Sequence, residues 1–455
     1  MDPVFLSRVQ FGVSISFHYL FPPMSIGLGL ILVIMEAIYL KTRKALYAKM
    51  TRFWVKVFAL TFAIGVATGV IQVFAFGTNW GRFSHFVGDV FGSALGAEGI
   101  FAFFLEAGFL SILLFGWHRV SAGWHFFSTL MVCLGAHFSA FWILIANSWM
   151  QTPAGFELVT QGDQVHAVVT DLWAMMFNPS SLDRIWHTVQ GCWLVGAFMV
   201  ISISAFYLLK RRHLDFARAS MKIGLWVGCI TIVLQLISAD STARGVAVNQ
   251  PAKLAAMEGV FKTEASTPLW GIGFVDLKNQ EVKGIGVPGM LSFLVHHNMD
   301  TPVIGLDQFA REDWPNVPLV FQCYHLMIAM WALMFLALLL ALMWNRRKKL
   351  ENAGWLLKTL VVAVVLPQIA NLAGWFTAEF GRQPWVVQGI LRTSHGASRA
   401  VSGGTVLWSV ITFSLLYVLM GALFIYLLND KIQHGPDEEE HIPFRDQFQQ
   451  QKEVS

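Results

Sequence analysis

An all-α, polytopic membrane bundle of about nine helices with one long extramembrane loop is the fold this sequence predicts. Three observations carry the prediction. Of 455 residues, 55% are hydrophobic and only 13% charged, with a mean hydropathy of +0.56, and ordinary soluble domains hold about twice that charged fraction. Apolar runs of roughly 20 residues, the length that crosses a bilayer, recur along the chain. Lysine and arginine gather in alternate loops, as they do when those loops lie on the cytoplasmic side.

The apolar runs fall at 15–40, 53–77, 96–116, 124–146, 185–209, 221–240, 319–344, 356–377 and 406–428. The N-terminus, "MDPVFLSRVQFG", lacks a basic segment and a small-residue cleavage site, so the first helix is expected to stay as an anchor. The basic loops "KTRKALYAKMTR", "WHRVSAGWH", "KRRHLDFARASMK" and "NRRKKLENAGWLLK" predict that the N-terminus and the loops 78–95, 147–184, 241–318 and 378–405 lie outside, and the C-terminus inside. Four segments follow: transmembrane helices one to six over 1–240, an outer loop over 241–318, helices seven to nine over 319–430, and a cytoplasmic tail over 431–455 with a solvated "DEEEH" run. The net charge of +4 sits in these flanking loops, which points to a lipid bilayer and not to nucleic acid. Cys133, Cys192, Cys229 and Cys323 fall singly in predicted helices, without CxxC or CxxCH, and read as small buried hydrophobes.

A charge at mid-membrane costs about 2.5–3.5 kcal/mol on insertion scales, so ionisable residues inside the spans are functional candidates. Among those in or closing the runs, the candidates are His18, Glu98, Glu106, His187, His325 and Glu379, with Met327 close to His325. On the predicted topology His18, Glu98, His187 and Glu379 lie near outer helix ends and Met327 about two turns below one, so that they share one depth. Glu106 is about 12 Å deeper than Glu98 along its helix. Singly, each has an ordinary reading: an interfacial histidine, a packing methionine, a first-turn glutamate beside the helix dipole, a helix-end ion pair of Glu379 with Arg382. Together they supply haem-iron ligand types. His with Met gives a six-coordinate electron-transfer haem, while a lone His or carboxylate leaves a coordination position open.

The segment "GWFTAEFGRQPW" (374–385) resembles the GRQPW signature of subunit I of the cytochrome bd-type quinol oxidases. "SRVQFGVSISFHYLFPP", "FGTNWGRFSHFVGDVFGSALGAEGIFAFFLE", "SAFWILIANSWMQTP", "HTVQGCW", "KLAAMEG" and "DTPVIGL" are similar to family segments in family order. The resemblance implies a terminal respiratory oxidase of the bacterial inner membrane, oxidising ubiquinol or menaquinol and reducing O2 to water with cytoplasmic proton uptake. It implies His187 and Met327 as axial ligands of a low-spin haem b. His18 and Glu379 each hold one of two high-spin haems, a haem b and a haem d, their order left open, and Arg382 balances propionates. Glu98 and Glu106 match carboxylates of the dihaem site and its proton supply, with Ser139, Asn147 and His137 as further candidates. Lys253 and Glu258 match the pair implicated in quinol oxidation. A second membrane subunit, subunit II, is implied as partner, with a small single-helix subunit as a further candidate. In "FQCYHLM", His325 stands where many relatives carry arginine. This looks like the cyanide-insensitive branch, in which a further haem b replaces haem d in some members, and the 241–318 loop is the family's shorter form.

Rival readings want other features. A haem-copper oxidase needs paired histidines on inner helices, whereas the His296–His297 dipeptide lies in the outer loop. A dihaem quinone-reactive cytochrome b needs two axial histidine pairs, and a proton-coupled transporter would use Glu98, Glu106 and Glu379 with broken helices or an inverted repeat.

Overall fold

The computed structural model describes residues 2–162, 164–398 and 400–436; the acidic run expected in the tail lies outside them. Among the described residues, nine helical stretches are long and apolar enough to cross a membrane, one for each predicted run. The helices are α1 (Pro3–His18), α2 (Phe21–Thr42), α3 (Ala45–Asn79), α4 (Gly81–Phe86), α5 (Gly88–Glu98), α6 (Phe104–Phe115), α7 (Ala122–Gln151), α8 (Leu172–Met176), α9 (Ser181–Lys210), α10 (Leu214–Asn249), α11 (Pro251–Glu258), α12 (Met290–His296), α13 (Val317–Arg346), α14 (Gly354–Val362), α15 (Val365–Phe380), α16 (Thr393–Gly396) and α17 (Gly403–His434). A π-helical segment, Gly99–Phe103, joins α5 to α6. Antiparallel hairpins β1 (Phe156–Gln161) with β2 (Gln164–Val169), β3 (Leu269–Asp276) with β4 (Glu281–Val287), and β5 (Trp385–Val387) with β6 (Leu391–Arg392) decorate the loops.

Side chains mark several starts. Asp2 accepts from the amides of Val4 and Phe5, Ser121 from Trp124, Asn316 from Leu319 and Ser402 from Thr405, so orphan amides of four first turns are satisfied. Two spans expected as continuous helices are broken, both at proline. Pro22 and Pro23 open α2 just after a joint at Tyr19–Leu20, and Pro367, which cannot donate to the carbonyl of Ala363, follows the break between α14 and α15.

α1 runs parallel to α17 and antiparallel to α3. Gln10 donates to Ser409 at 2.6 Å and Phe17 stacks on Tyr417 with ring centroids 4.8 Å apart; Gln10 also accepts from Asn79 near the far end of α3. α10 continues to Asn249, so the first residues of the 241–318 loop are still helix. That loop, β1–β2 and β5–β6 cap one end of the bundle, and the basic turns at 43–44 and 211–213 lie at the other.

The main core sits around α2, α3 and α9, with Leu28, Trp54, Phe58, Phe198 and Tyr207 fully buried. At its tightest crossing α2 meets α9 backbone to backbone. A Cβ added to Gly196 would lie 2.3 Å from the carbonyl carbon of Gly27, and one on Gly27 would lie 2.2 Å from the Cys192 oxygen. Small residues are the usual means of such close approach in membrane bundles. Gly196→Ala is therefore expected to cost about 1–3 kcal/mol by overpacking and to lower the thermal midpoint of the purified complex. Gly12→Ala, whose added Cβ would meet nothing within 4 Å, is expected to leave it unchanged or raise it; equal midpoints for the two variants would refute this account of the crossing.

Candidate functional site

The Glu379–Arg382 pair anchors the site. Glu379 sits in the last turn of α15, and Arg382 follows in the turn beyond it, forming a salt bridge three residues on. Helix α15 ends at Phe380, before Pro384, because Gly381 and Arg382 already turn the chain: Arg382 donates Nη1 to the Val386 carbonyl at 2.7 Å. Glu379 Oε1 accepts from Asn147 Nδ2 at 3.0 Å and from Gln151 Nε2 at 3.4 Å, both on α7. The side-chain Oδ1 of Asn147 in turn accepts from Arg184 of α9. Two buried guanidinium groups thus surround one carboxylate, and the Nε atoms of both Arg184 and Arg382 have no partner.

Lys253 enters the same cluster from α11. It donates Nζ to Gln151 Oε1 and, at 2.9 Å, to Gln250 Oε1, and its stem presses on Gly381, where a Cβ would lie 2.8 Å from Lys253 Cγ. Burial, then the Arg184 and Arg382 guanidinium groups, push its ammonium well below the usual lysine range, with Glu379 pulling the other way. Glu258 points elsewhere. Five residues on is about 140° around a helix, so its carboxyl, 2% exposed, turns to the Tyr324 hydroxyl of α13. Burial pushes it up to about 7, against the lowering contact of Tyr324. The expected pair therefore occupies opposite faces of α11.

Helices α9, α10, α13 and α15 close a ring in that order, so His187 on α9 and Met327 on α13 stand on diagonal members. Their levels agree: Trp331, one turn beyond Met327, donates to the Ile232 carbonyl, about one turn from Gln235, which meets His187. His187 Nδ1 lies 3.0 Å from Ser238 Oγ, and that hydroxyl donates to Gln190 Oε1 at 2.7 Å. The Gln235 amide nitrogen lies across the ring edge, 2.9 Å from Nδ1 and 3.1 Å from Nε2, so Ser238 and Gln235 of α10 together fix the orientation of the imidazole. The Met327 sulfur packs over α15, 2.8 Å from where a Cβ on Gly374 would stand.

His18 is held in a similar way. Its Nδ1 lies 2.9 Å from Thr68 Oγ1, a hydroxyl also within reach of the Ile64 and Gly65 carbonyls, and this contact fixes the ring with Nε2 on its other side. Gly69 leaves space beside the ring, since a Cβ there would sit 3.2 Å from Cε1. Histidines whose Nδ1 is tied to a neighbouring hydroxyl are oriented as a metal ligand through Nε2 requires. The residues present therefore fit haem groups: oriented imidazoles, a thioether opposite one of them, and buried guanidinium donors in excess over carboxylate, suited to anionic propionates.

Glu98 and Glu106 occupy another layer. The expectation that Glu98 lies in a first turn at an outer end is corrected, because its span begins at Gly88 and not 96, placing Glu98 in mid-helix. With α7 as a ruler, Glu98 meets Ser139 at 2.8 Å, eight residues and about 12 Å from Asn147, so the candidates do not share one depth. Glu106 packs on Gly135, where a Cβ would lie 2.4 Å from its Cγ. Eight α-helical residues would set the two carboxylates about 80° apart; the π segment absorbs one residue, so they behave as i,i+7 and share the face toward α7. His137 is held elsewhere, by the Cys133 carbonyl at 2.7 Å and Trp193 Nε1 at 2.9 Å.

Several site residues were not foreseen. Arg184 stands three before His187 in "DRIWH", the spacing of one helix face, which would have flagged it. Gln151, Gln235, Ser238, Thr68 and Tyr324 are neutral and carry no comparable signal in sequence.

Residues 6–436 match the family model described as cytochrome bd terminal oxidase subunit I. The chain is 37% identical over 452 residues to the cytochrome bd ubiquinol oxidase subunit 1 of Bacillus subtilis (strain 168), covering 97% of this chain and 96% of the relative. It is 35% identical to the cytochrome bd-II ubiquinol oxidase subunit 1 of Escherichia coli (strain K12), covering 96% and 97%. The solved bd oxidase from Geobacillus thermodenitrificans superposes with a TM-score of 0.89 at 29% identity, over 96% of this chain and 99% of that one. A match over nearly the whole length, in sequence and in fold, means that the chain belongs to the cytochrome bd terminal oxidase subunit I family.

Proposed function

We propose that this chain is the haem-holding subunit of a multi-pass terminal oxidase of the bacterial inner membrane, taking electrons from a membrane hydroquinone, ubiquinol or menaquinol, and giving them to O2. The observation that carries the reading is the buried cluster of Arg184, Arg382 and Lys253 around one carboxylate, an anion receptor within a membrane bundle. In this reading His187 and Met327 hold a low-spin haem b, and His18 and Glu379 each hold one of two high-spin haems, of which one is haem b and the other haem d or a further haem b. Arg382, joined by Arg184, balances propionates. Subunit II is the membrane partner, and a small single-helix subunit is a further one. When bound, the haems carry electrons one at a time and reduce dioxygen to water.

The chain's own residues handle protons and position. The segment 250–316 faces outward, as do the N-terminus and the other capping loops, while the C-terminus lies in the cytoplasm. Within the 241–318 quinol loop, Glu258 takes a proton from the hydroquinone hydroxyl and releases it on that outer side. A carboxyl held near 7 is matched to this task, since it is both able to accept and able to release close to neutral pH. Lys253 donates to a quinone oxygen from the opposite face of α11, within reach of the cation cluster. Glu106 and then Glu98, aligned on α7 with Ser139, pass protons arriving from the basic-loop end, so charge crosses most of the bilayer and turnover is electrogenic. Glu379 Oε2 keeps a second lone pair beside its bond to Arg382, so the carboxylate can ligate through that oxygen while Arg382 stays paired.

Three outcomes test these roles. Glu258 must be ionised to accept, so hydroquinone oxidation is expected to rise between about pH 6 and 8, and Glu258→Gln to slow it about a hundredfold and flatten that profile with the haem bands intact; loss of those bands would make the residue structural. Met327→Leu is expected to abolish the low-spin optical bands, and an unaltered spectrum would remove the assignment. Glu106→Gln is expected to cut oxygen uptake and membrane-potential generation together; retention of both would end its part in proton delivery.

A further inference from the structure

The β3–β4 hairpin has two unlike faces. One is seated on the turn after Glu258: Val282 is buried, and a Cβ on Gly259 would lie 2.3 Å from its Cγ2. The other is bare and, toward the stem, apolar, with Ile272 71%, Phe274 70%, Ile285 78% and Val287 59% exposed and Lys283 across from Phe274 at its outer limit. Ile272 pairs with Ile285 across the strands, so the apolar residues of the two strands stand together and not scattered.

Helix α13 fixes the height of this face. β3 is bound along it, with Gln322 Nε2 donating to the Gly273 carbonyl at 2.9 Å and His325 Nε2 meeting the Trp270 carbonyl at 2.8 Å. A hydrocarbon layer about 30 Å thick takes about 20 helical residues; counted from the polar Asn345 at the basic end, it closes near His325. Trp270 and its strand partner Gly286 therefore stand at the edge of the hydrocarbon, and Ile272 and Ile285 just beyond it, at headgroup level. Polarity follows the same axis. The distal end carries Asp276, Lys278, Asn279 and Glu281 at the turn and Lys283 on β4 across from Phe274, tied by Lys283 to Asp276 at 2.7 Å and Asn279 to Asp276 at 3.0 Å, so the face becomes polar at the Phe274–Lys283 pair. On α13 itself Leu319, Leu326 and Leu333 form an exposed apolar row, seven residues apart and so on one face.

We propose that the stem of this hairpin is a bilayer anchor: Ile272, Phe274, Ile285 and Val287 sit among the headgroups and first acyl carbons, and the opposite face thereby holds the Glu258 turn at the level where a lipid-borne hydroquinone arrives. The anchoring stands on the hairpin alone; its kinetic consequence rests on the reading of Glu258 given above.

Nitroxides attached at Ile285→Cys and, as the aqueous comparison, at Lys278→Cys test the anchor in the complete complex reconstituted into phosphatidylglycerol and phosphatidylethanolamine vesicles, with the wild type treated alike as blank. At position 285 dioxygen is expected to relax the label more than a water-soluble nickel chelate does, and at 278 the reverse. Equal behaviour at both positions, or a label at 285 reached by neither agent because protein covers it, would overturn the proposal. In the same vesicles the Ile272→Asp/Ile285→Asp double variant is expected to raise KM for a long-chain hydroquinone about fivefold, with kcat for a short-chain water-soluble one changed less than about twofold. Equal losses with both substrates would reduce the hairpin to structural support. Should Glu258→Gln affect neither substrate, the Glu258 reading fails while the nitroxide result keeps its meaning.

Discussion

Charge buried in a bilayer has to be answered by charge or hydrogen bonds, and the end of this bundle around Glu379 is arranged to satisfy that requirement. Removing one partner of a buried ion pair costs about 3–5 kcal/mol, so Arg382, Glu379 and Arg184 cannot be considered separately. Asn147 joins them by giving its carbonyl to Arg184 and its amide to Glu379. Gln151, one turn on, repeats the device, accepting from Lys253 and Gln250 while its own amide reaches Glu379 and the Ala378 carbonyl. The end of α7 is thus fixed against α9, α11 and α15 by neutral amides that mediate between charges.

Helix α7 serves as the polar spine of the whole first half. Below Gln151 and Asn147 come Ser139 with Glu98, Gly135 with Glu106, and then His125 and Thr129, both 2.5 Å from the buried Glu36 of α2. Glycine at 135 is required by steric fit, because any side chain would collide with the stem of Glu106. The π segment answers the same need from the opposite helix, rotating Glu98 into register with Glu106 where an uninterrupted α-helix would have pointed one of them away.

The nine spans were legible because hydrocarbon thickness imposes a length and a polarity that no other environment does, and every predicted run is helical, two of them with a break at proline. Their ends were less so. Residues 3–14 and 88–95 are helical although less apolar, since Gln10 finds Ser409 and Asn79, and Asp89 accepts from the Val169 amide at 2.7 Å. Those partners are distant in sequence and invisible to a hydropathy reading. For the same reason the charged site residues could be picked out while their neutral orienters could not: Glu379 in an apolar run is conspicuous, but nothing local distinguishes Ser238 or Thr68 from other hydroxyls that bond their own helix. The spacing of Lys253 and Glu258 did contain a clue, for five residues cannot share a helix face.

That spacing bears on how one short helix can serve two partners. On one side of α11, Lys253 is drawn into the amide and guanidinium cluster, its position set by Gln151 and Gln250. On the other, Glu258 lies against Tyr324 and the hairpin, in a setting without a cation among its named contacts, where burial outweighs the lowering contact of the Tyr324 hydroxyl. A group that accepts a proton and passes it on gains from isolation, because a fixed cation beside it would hold the carboxylate ionised and remove its tendency to take the proton. A group that only orients a neutral oxygen gains from the reverse, a dense network that fixes its direction. Opposite faces of α11 supply these two environments within eight residues.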